Sequence, residues 1–341
     1  MRNLAGKFGA ALAVALVACV AVAGCGGAED QQGSADGGSL QVVATYSILG
    51  DIVENVSGEE VEITTLVGPD GDAHTFEAAP ADNAMLSEAD LIFENGLQLE
   101  PWLDDLYESS GSEARRVVVT EDVEPLTLEE EHAHGNEEHA ADEEHEHEED
   151  GHEEESEHGD EHGEFDPHAW FDVQNTVLMV ESTRGALSEA DPENADTYRA
   201  NAKEYIAELE ELDAWISEQT ENVPEEDRKL VTSHDTFGYL AEAYGYEVVG
   251  TGLASFSTEA SDPAAGETAE LVEEIEAAGV PAIFAENISN QDLMQQIAAE
   301  AGVELAPPLY TDALGEPGTE GDTYVRMVRY DVRTITEALG G

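Results

Sequence analysis

Residues 192–222, PENADTYRANAKEYIAELEELDAWISEQTEN, read as one uninterrupted helix. Tyr198, Ala202, Tyr205, Leu209, Leu212 and Ile216 recur at spacings of three or four, which draws a single apolar stripe along one face. Asp191 stands where an N-cap belongs and Pro192 where a first-turn proline does. At 1.5 Å per residue such a helix exceeds about 40 Å. That is enough to run along two bodies and join them, and the flanking sequence supplies both.

From Ser39 onward the short β-rich runs LQVVATYS, VEITTLV, DLIFENG and RRVVVT alternate with the amphipathic stretches ILGDIVENVSG, PADNAMLSEA and PWLDDLYESS. After the long helix the alternation returns. KLVTSH, YEVVGT, PAIFAEN and ELAPPLYTD are separated by TFGYLAEAYG, AGETAELVEEIEAAG and DLMQQIAAEAG, and TYVRMVRYDVRTITEAL closes the chain. Strands joined through helices of this length imply crossovers and parallel pairing. The expected fold is therefore α/β: two similar lobes, each with a roughly four-stranded, mainly parallel sheet flanked by helices, joined by one long linker helix. The boundaries follow as an N-terminal lobe over 39–120 completed by 165–190, a linker helix over 191–223 and a C-terminal lobe over 224–341.

Residues 121–164 interrupt the first lobe with low-complexity, charged sequence that has too few large apolar side chains to order itself. Eight of the chain's eleven histidines lie here: His132, His134, His139, His145, His147, His152, His158 and His162. Carboxylates surround them, so the tract is expected to hold several metal ions weakly, as an appendage to a site built elsewhere. A purely solvating acidic linker is the competing interpretation. The acidity is not local to the tract, since residues 129–164 hold only 19 of the 79 Asp and Glu. A formal net charge of -67 repels nucleic acid and anionic headgroups and attracts cations. It also fits a high-salt host, where ions screen the self-repulsion of a compact fold.

At the N-terminus Arg2 and Lys7 precede the apolar run FGAALAVALVACVAVAG, shorter than the roughly 20 residues that a comfortable transmembrane helix needs. Residues 1–24 read as a signal peptide and 25–38 as a flexible tether. VAGC, ending at Cys25, resembles the lipobox of bacterial lipoproteins and implies a lipid anchor on Cys25; an ordinary cleaved secretory signal is the alternative. Cys19 falls inside the apolar run, so the mature chain keeps no thiol for a disulfide or a cysteine-type zinc site. A metal site must use histidine and carboxylate.

The three histidines outside the tract all follow strands or border a turn. His74 lies in VGPDGDAHTFEAAP, His168 in DPHAWFD and His234 at the end of LVTSH, while Asp312 in LYTDALG ends the last strand. Ligands of open α/β sheets gather at the carboxyl ends of strands. Three imidazoles and a carboxylate suit a divalent cation, but singly each residue has an ordinary structural role, and they lie too far apart in sequence to form a local motif.

DAHTFEAAP, DPHAWFD, TSHDTFGYL and LYTDALG, in this order, closely resemble the motifs of the zinc- and manganese-binding lipoproteins of ABC uptake systems, the cluster A-I solute-binding proteins. The resemblance spans about Ser39 to the C-terminus. It implies two α/β lobes bridged by a rigid helix with one metal in the cleft, held here by His74, His168, His234 and Asp312. Two turn positions depart from the family: Ala78 and Ala79 follow Glu77 where many members carry proline, and FDVQN lacks the proline of the commoner LDPxN. Glu77, Asp166 and Glu286 are candidates to orient ligand imidazoles. His234 makes the set nitrogen-rich, which favours Zn²⁺ over Mn²⁺. The expected protein is a monomeric, non-enzymatic zinc receptor feeding an ABC permease for divalent metal. Two other functions remain: a zinc hydrolase, opposed by the fourth ligand and the lack of an HExxH motif, and a zinc-storing or adhesive surface lipoprotein.

Overall fold

The computed structural model describes residues 39–127, 165–251, 265–289 and 291–340. The leader, Cys25 with its tether, and the eight tract histidines lie outside the described residues.

Four parallel strands, β1 (Leu40–Tyr46), β2 (Val61–Val67), β3 (Leu91–Glu94) and β4 (Arg115–Val118), form one sheet in the order β2-β1-β3-β4. β1 is interior, which explains why Val42, Val43 and Ala44 are all buried whichever face they point to. On one face α1 (Ser47–Ser57) sinks Ile48, Leu49, Ile52, Val53 and Val56. It sits so close to β2 that a Cβ on Gly50 would lie 2.6 Å from Thr65 Oγ1. On the other face α2 (Pro80–Glu88) and α3 (Leu103–Ser110) close a small cluster of Leu86, Leu103 and Leu106 against Val43 and Ile92.

α4 (Val173–Ala190) starts at Asp172, whose carboxylate accepts the Gln174 N–H, and leads to the long helix α5 (Ala195–Thr220). The stripe from Tyr198 to Ile216 is buried along its whole length, as its spacing predicts. The start of α5 differs from expectation. Asp191 is not its N-cap: the Asp191 N–H closes α4 on the Leu187 carbonyl, while its carboxylate accepts from Asn194 Nδ2 and Tyr198 Oη, both at 2.7 Å. Residues 191–194 are thus a pinned corner, and the 26-residue helix spans about 39 Å.

In the second half β5 (Lys229–Thr232) pairs in parallel with β6 (Glu247–Thr251), and β7 (Ala282–Glu286) with β8 (Glu304–Leu309). β5 lies beside β7, so the spatial order β6-β5-β7-β8 repeats that of the first sheet, but as two hydrogen-bonded pairs rather than one continuous sheet. Each pair also slips register once, after Leu230 and after Phe284. Pro307 and Pro308 donate no hydrogen bond, which suits β8 to an edge. α6 (Gly238–Tyr244), α7 (Ala265–Ala278), α8 (Gln291–Ala301) and α9 (Tyr324–Ala338) complete this half.

One continuous core joins the halves. It runs from Tyr46 and Ile52 through Trp170 and the α5 stripe to Tyr324 and Met327. Tyr324 Oη donates to the Trp170 carbonyl at 2.7 Å, and Thr176 Oγ1 donates to Tyr324 Oη at 2.9 Å, so the seam is pinned by polar contacts as well. Among the described residues no helix is long and apolar enough to cross a membrane.

Candidate metal centre

His74 lies in the loop after β2 and His168 on the turn before α4; His234 follows β5 and Asp312 follows β8. Each half therefore contributes two residues. All four are buried, His168, His234 and Asp312 completely and His74 to 9% exposure. One ligand atom from each falls within 4.8 Å of every other. His74 Nε2 is 3.3 Å from His168 Nε2 and 3.5 Å from Asp312 Oδ2. His168 Nε2 is 3.3 Å from Asp312 Oδ1, and His234 Nε2 is 3.2 Å from Asp312 Oδ2.

These separations have a simple meaning. Ligands about 2.0–2.1 Å from a central ion at tetrahedral corners stand about 3.3–3.4 Å from one another. Both Asp312 oxygens and His234 Nε2 are buried without a hydrogen-bond partner, which is costly unless a cation supplies the missing contact. The donor set and the orphaned atoms both fit a divalent ion.

Carboxylates steady two of the rings from behind. Asp166 Oδ1 lies 2.7 Å from His168 Nδ1 and also accepts the His168 N–H at 2.8 Å. Glu286, fully buried, contacts His234 Nδ1 closely through Oε2. Its Oε1 accepts from Ser233 Oγ at 2.6 Å and the His234 N–H at 2.9 Å, and its Oε2 accepts from Thr311 Oγ1 at 3.1 Å. Such contacts fix the ring orientation and leave Nε2 toward the centre. Glu77 does not share this placement: it is exposed and stands outside the cluster. The His74 loop is instead shaped by Asp72, which accepts the His74 N–H at 2.8 Å and Thr75 Oγ1 at 2.9 Å, and by Trp102 Nε1, which donates to the Ala73 carbonyl at 2.7 Å. Neither residue carries a recognisable signal in sequence, because an aspartate in a glycine-rich turn is an ordinary turn former.

The carboxylates favour the charged form of two of the imidazoles. Burial alone would lower the His168 pKa, yet Asp312 and Asp166 outweigh it and hold it up at about 9. Burial likewise opposes charging of His234, but Glu286 and Asp312 drive its pKa well above the ordinary value. Asp312 is pushed up by burial and pulled much further down by His234 and His168. An arriving cation must displace imidazole protons.

Comparison with known proteins agrees with this geometry. Residues 42–338 match the family model described as zinc-uptake complex component A, periplasmic. The chain is 35% identical to the manganese-binding lipoprotein MntA of Halalkalibacterium halodurans over 96% of its own length and 97% of that protein, and 33% identical to MntA of Bacillus subtilis over 96% and 98%. Among solved structures it is similar to the periplasmic zinc-binding protein TroA of Treponema pallidum, with TM-score 0.75, 30% identity and coverage of 89% of this chain and 100% of that one. The Mn-bound periplasmic metal-binding protein of Candidatus Liberibacter asiaticus aligns with TM-score 0.70 and 26% identity over 87% and 98%. The chain belongs to the periplasmic zinc-uptake complex component A family, the metal-binding receptors of ABC uptake systems, which are not enzymes.

Proposed function

We propose that this protein captures Zn²⁺ with high affinity between its two halves and hands it to an ABC permease, held at the membrane as a monomeric lipoprotein through Cys25. The carrying observation is the set of four buried donors, three nitrogens and one carboxylate, whose ligand atoms all lie within 4.8 Å of one another. His74, His168, His234 and Asp312 are the ligands. Asp166 and Glu286 orient two of them. In this proposal residues 129–164 collect ions weakly and raise their supply near the centre.

A second assignment, Mn²⁺ as the cargo, draws support from the relatives named manganese-binding. Nitrogen-rich donors argue for Zn²⁺, since Mn²⁺ prefers more oxygen ligands. The metal content of the protein isolated from cells, together with competitive titration of the protein intact and lacking residues 129–164, decides between them. The zinc assignment requires one tight Zn²⁺ equivalent that survives the deletion and resists excess Mn²⁺. Displacement of Zn²⁺ by equimolar Mn²⁺ would assign the cargo as manganese. Loss of all tight binding on deletion would make the tract the site and the protein a surface zinc store.

A further inference from the structure

The four ligands are not equally enclosed. His74 retains 9% exposure while His168, His234 and Asp312 have none, so an ion reaches or leaves the centre most directly past the His74 loop. Four residues before His74, Asp70 adopts a left-handed backbone with φ 53°, an uncommon conformation outside glycine that aspartate tolerates better than most residues. From there its N–H donates to the Leu314 carbonyl at 2.8 Å, and its Oδ1 accepts from Asn287 Nδ2 at 2.9 Å.

Asn287, directly after β7, is a junction. Its backbone N–H donates to the Leu309 carbonyl at 2.8 Å, its Oδ1 accepts the Thr311 N–H at 3.2 Å, and its Nδ2 reaches the Ala313 carbonyl at 3.3 Å as well as Asp70. One side chain therefore grips both flanks of Asp312 and the loop that carries His74. The Asp70–Asn287 bond is solvent-exposed, whereas another bond between the halves, Trp170 Nε1 to the Thr311 carbonyl at 3.2 Å, is buried in the core. The rim bond can exchange with water and open without disturbing the core; the buried one cannot.

We propose that Asn287 and Asp70 form a rim latch whose opening limits the release of a captured ion, with Asn287 positioning the Asp312 loop against the His74 loop. This rests on the metal-receptor function proposed above. A latch formed only in the closed state slows departure and leaves arrival nearly unaffected.

The test is stopped-flow metal loss from the full chain into excess chelator, with Zn²⁺ and Mn²⁺ loaded in parallel, alongside loading rates and the melting midpoint of the metal-free protein. Asp70→Ala and Asn287→Ala should each speed the slow phase of metal loss about tenfold, the scale of one charge-assisted hydrogen bond, with loading rates changed less than about twofold. Asp70→Asn, which keeps an acceptor for Asn287 Nδ2, should restore slow loss. The double alanine variant should be no faster than the faster single one. Unchanged loss rates in both alanine variants, equal acceleration of loading and loss, or additive effects in the double variant would overturn the latch. If the unsubstituted chain retains neither ion tightly, the receptor function itself fails, which is a separate outcome.

Discussion

In the proposed centre Asp312 is the one donor whose charge survives when every imidazole is neutral, and its carboxylate lies within 3.5 Å of all three rings. Asp312→Ala should weaken Zn²⁺ binding more than about 100-fold, whereas Glu286→Gln, which only loosens His234 from behind, should cost about 10- to 100-fold. Equal losses in calorimetric titration would erase that distinction. Because ions displace protons, affinity should rise with pH: the His168 proton, with a pKa of about 9, must leave on binding, so the dissociation constant should still fall between pH 7 and pH 9. A flat profile there would contradict it. A second group with a shifted pKa is Glu100. Buried, and held by Thr45 Oγ1 and the Asn95 N–H, it has its pKa raised by desolvation from 4.5 to about 7. A raised folded-state pKa means the stabilisation is complete below pH 4.5 and fades as pH climbs through 7, by up to about 3 kcal/mol. Glu100→Gln should flatten that decline in denaturant titrations. At this scale much was legible in sequence: the scarce histidines of the folded part and the aspartate after the last strand are the residues that converge. What escaped were Asp72, Trp102 and Asn287, whose importance arises only when distant loops meet. Glu77 misled because adjacency to His74 in sequence says nothing about which way a loop turns.

The long helix is the element most plainly written in the chain, since its apolar spacing needs no partner to be recognised. Its start was not, because Asp191 and Pro192 satisfy the local rules for capping while Tyr198 and Asn194 use the same carboxylate to build a corner. The strands of the second half show the opposite limit: all four were visible, but their division into two pairs and the register slips after Leu230 and Phe284 depend on pairing geometry that no single strand encodes. Leu209 is fully buried in the α5 stripe. Leu209→Ala should destabilise the fold by about 3 kcal/mol, and Glu211→Ala, on the exposed face, by less than about 0.5 kcal/mol. Thermal melting of the pair measures the difference, and similar midpoints would remove α5 from its role as the shared spine.

Across the whole molecule the dominant quantity is charge, -67 over 341 residues. Self-repulsion on that scale weakens as the screening length drops from about 10 Å at 0.1 M salt to about 3 Å at 1 M, so the melting midpoint should climb through that range. A midpoint that stays level or falls would mean the carboxylates are already offset in the fold. The continuous core from Tyr46 through α5 to Tyr324 has a different consequence. A receptor whose halves share one interior should tilt little rather than swing like a pair of jaws, so loaded and empty copies are expected to present almost the same outline. A docking partner would then meet both forms with similar ease. Surplus empty receptor should slow uptake by occupying the permease, and the flux should follow the fraction of receptors filled.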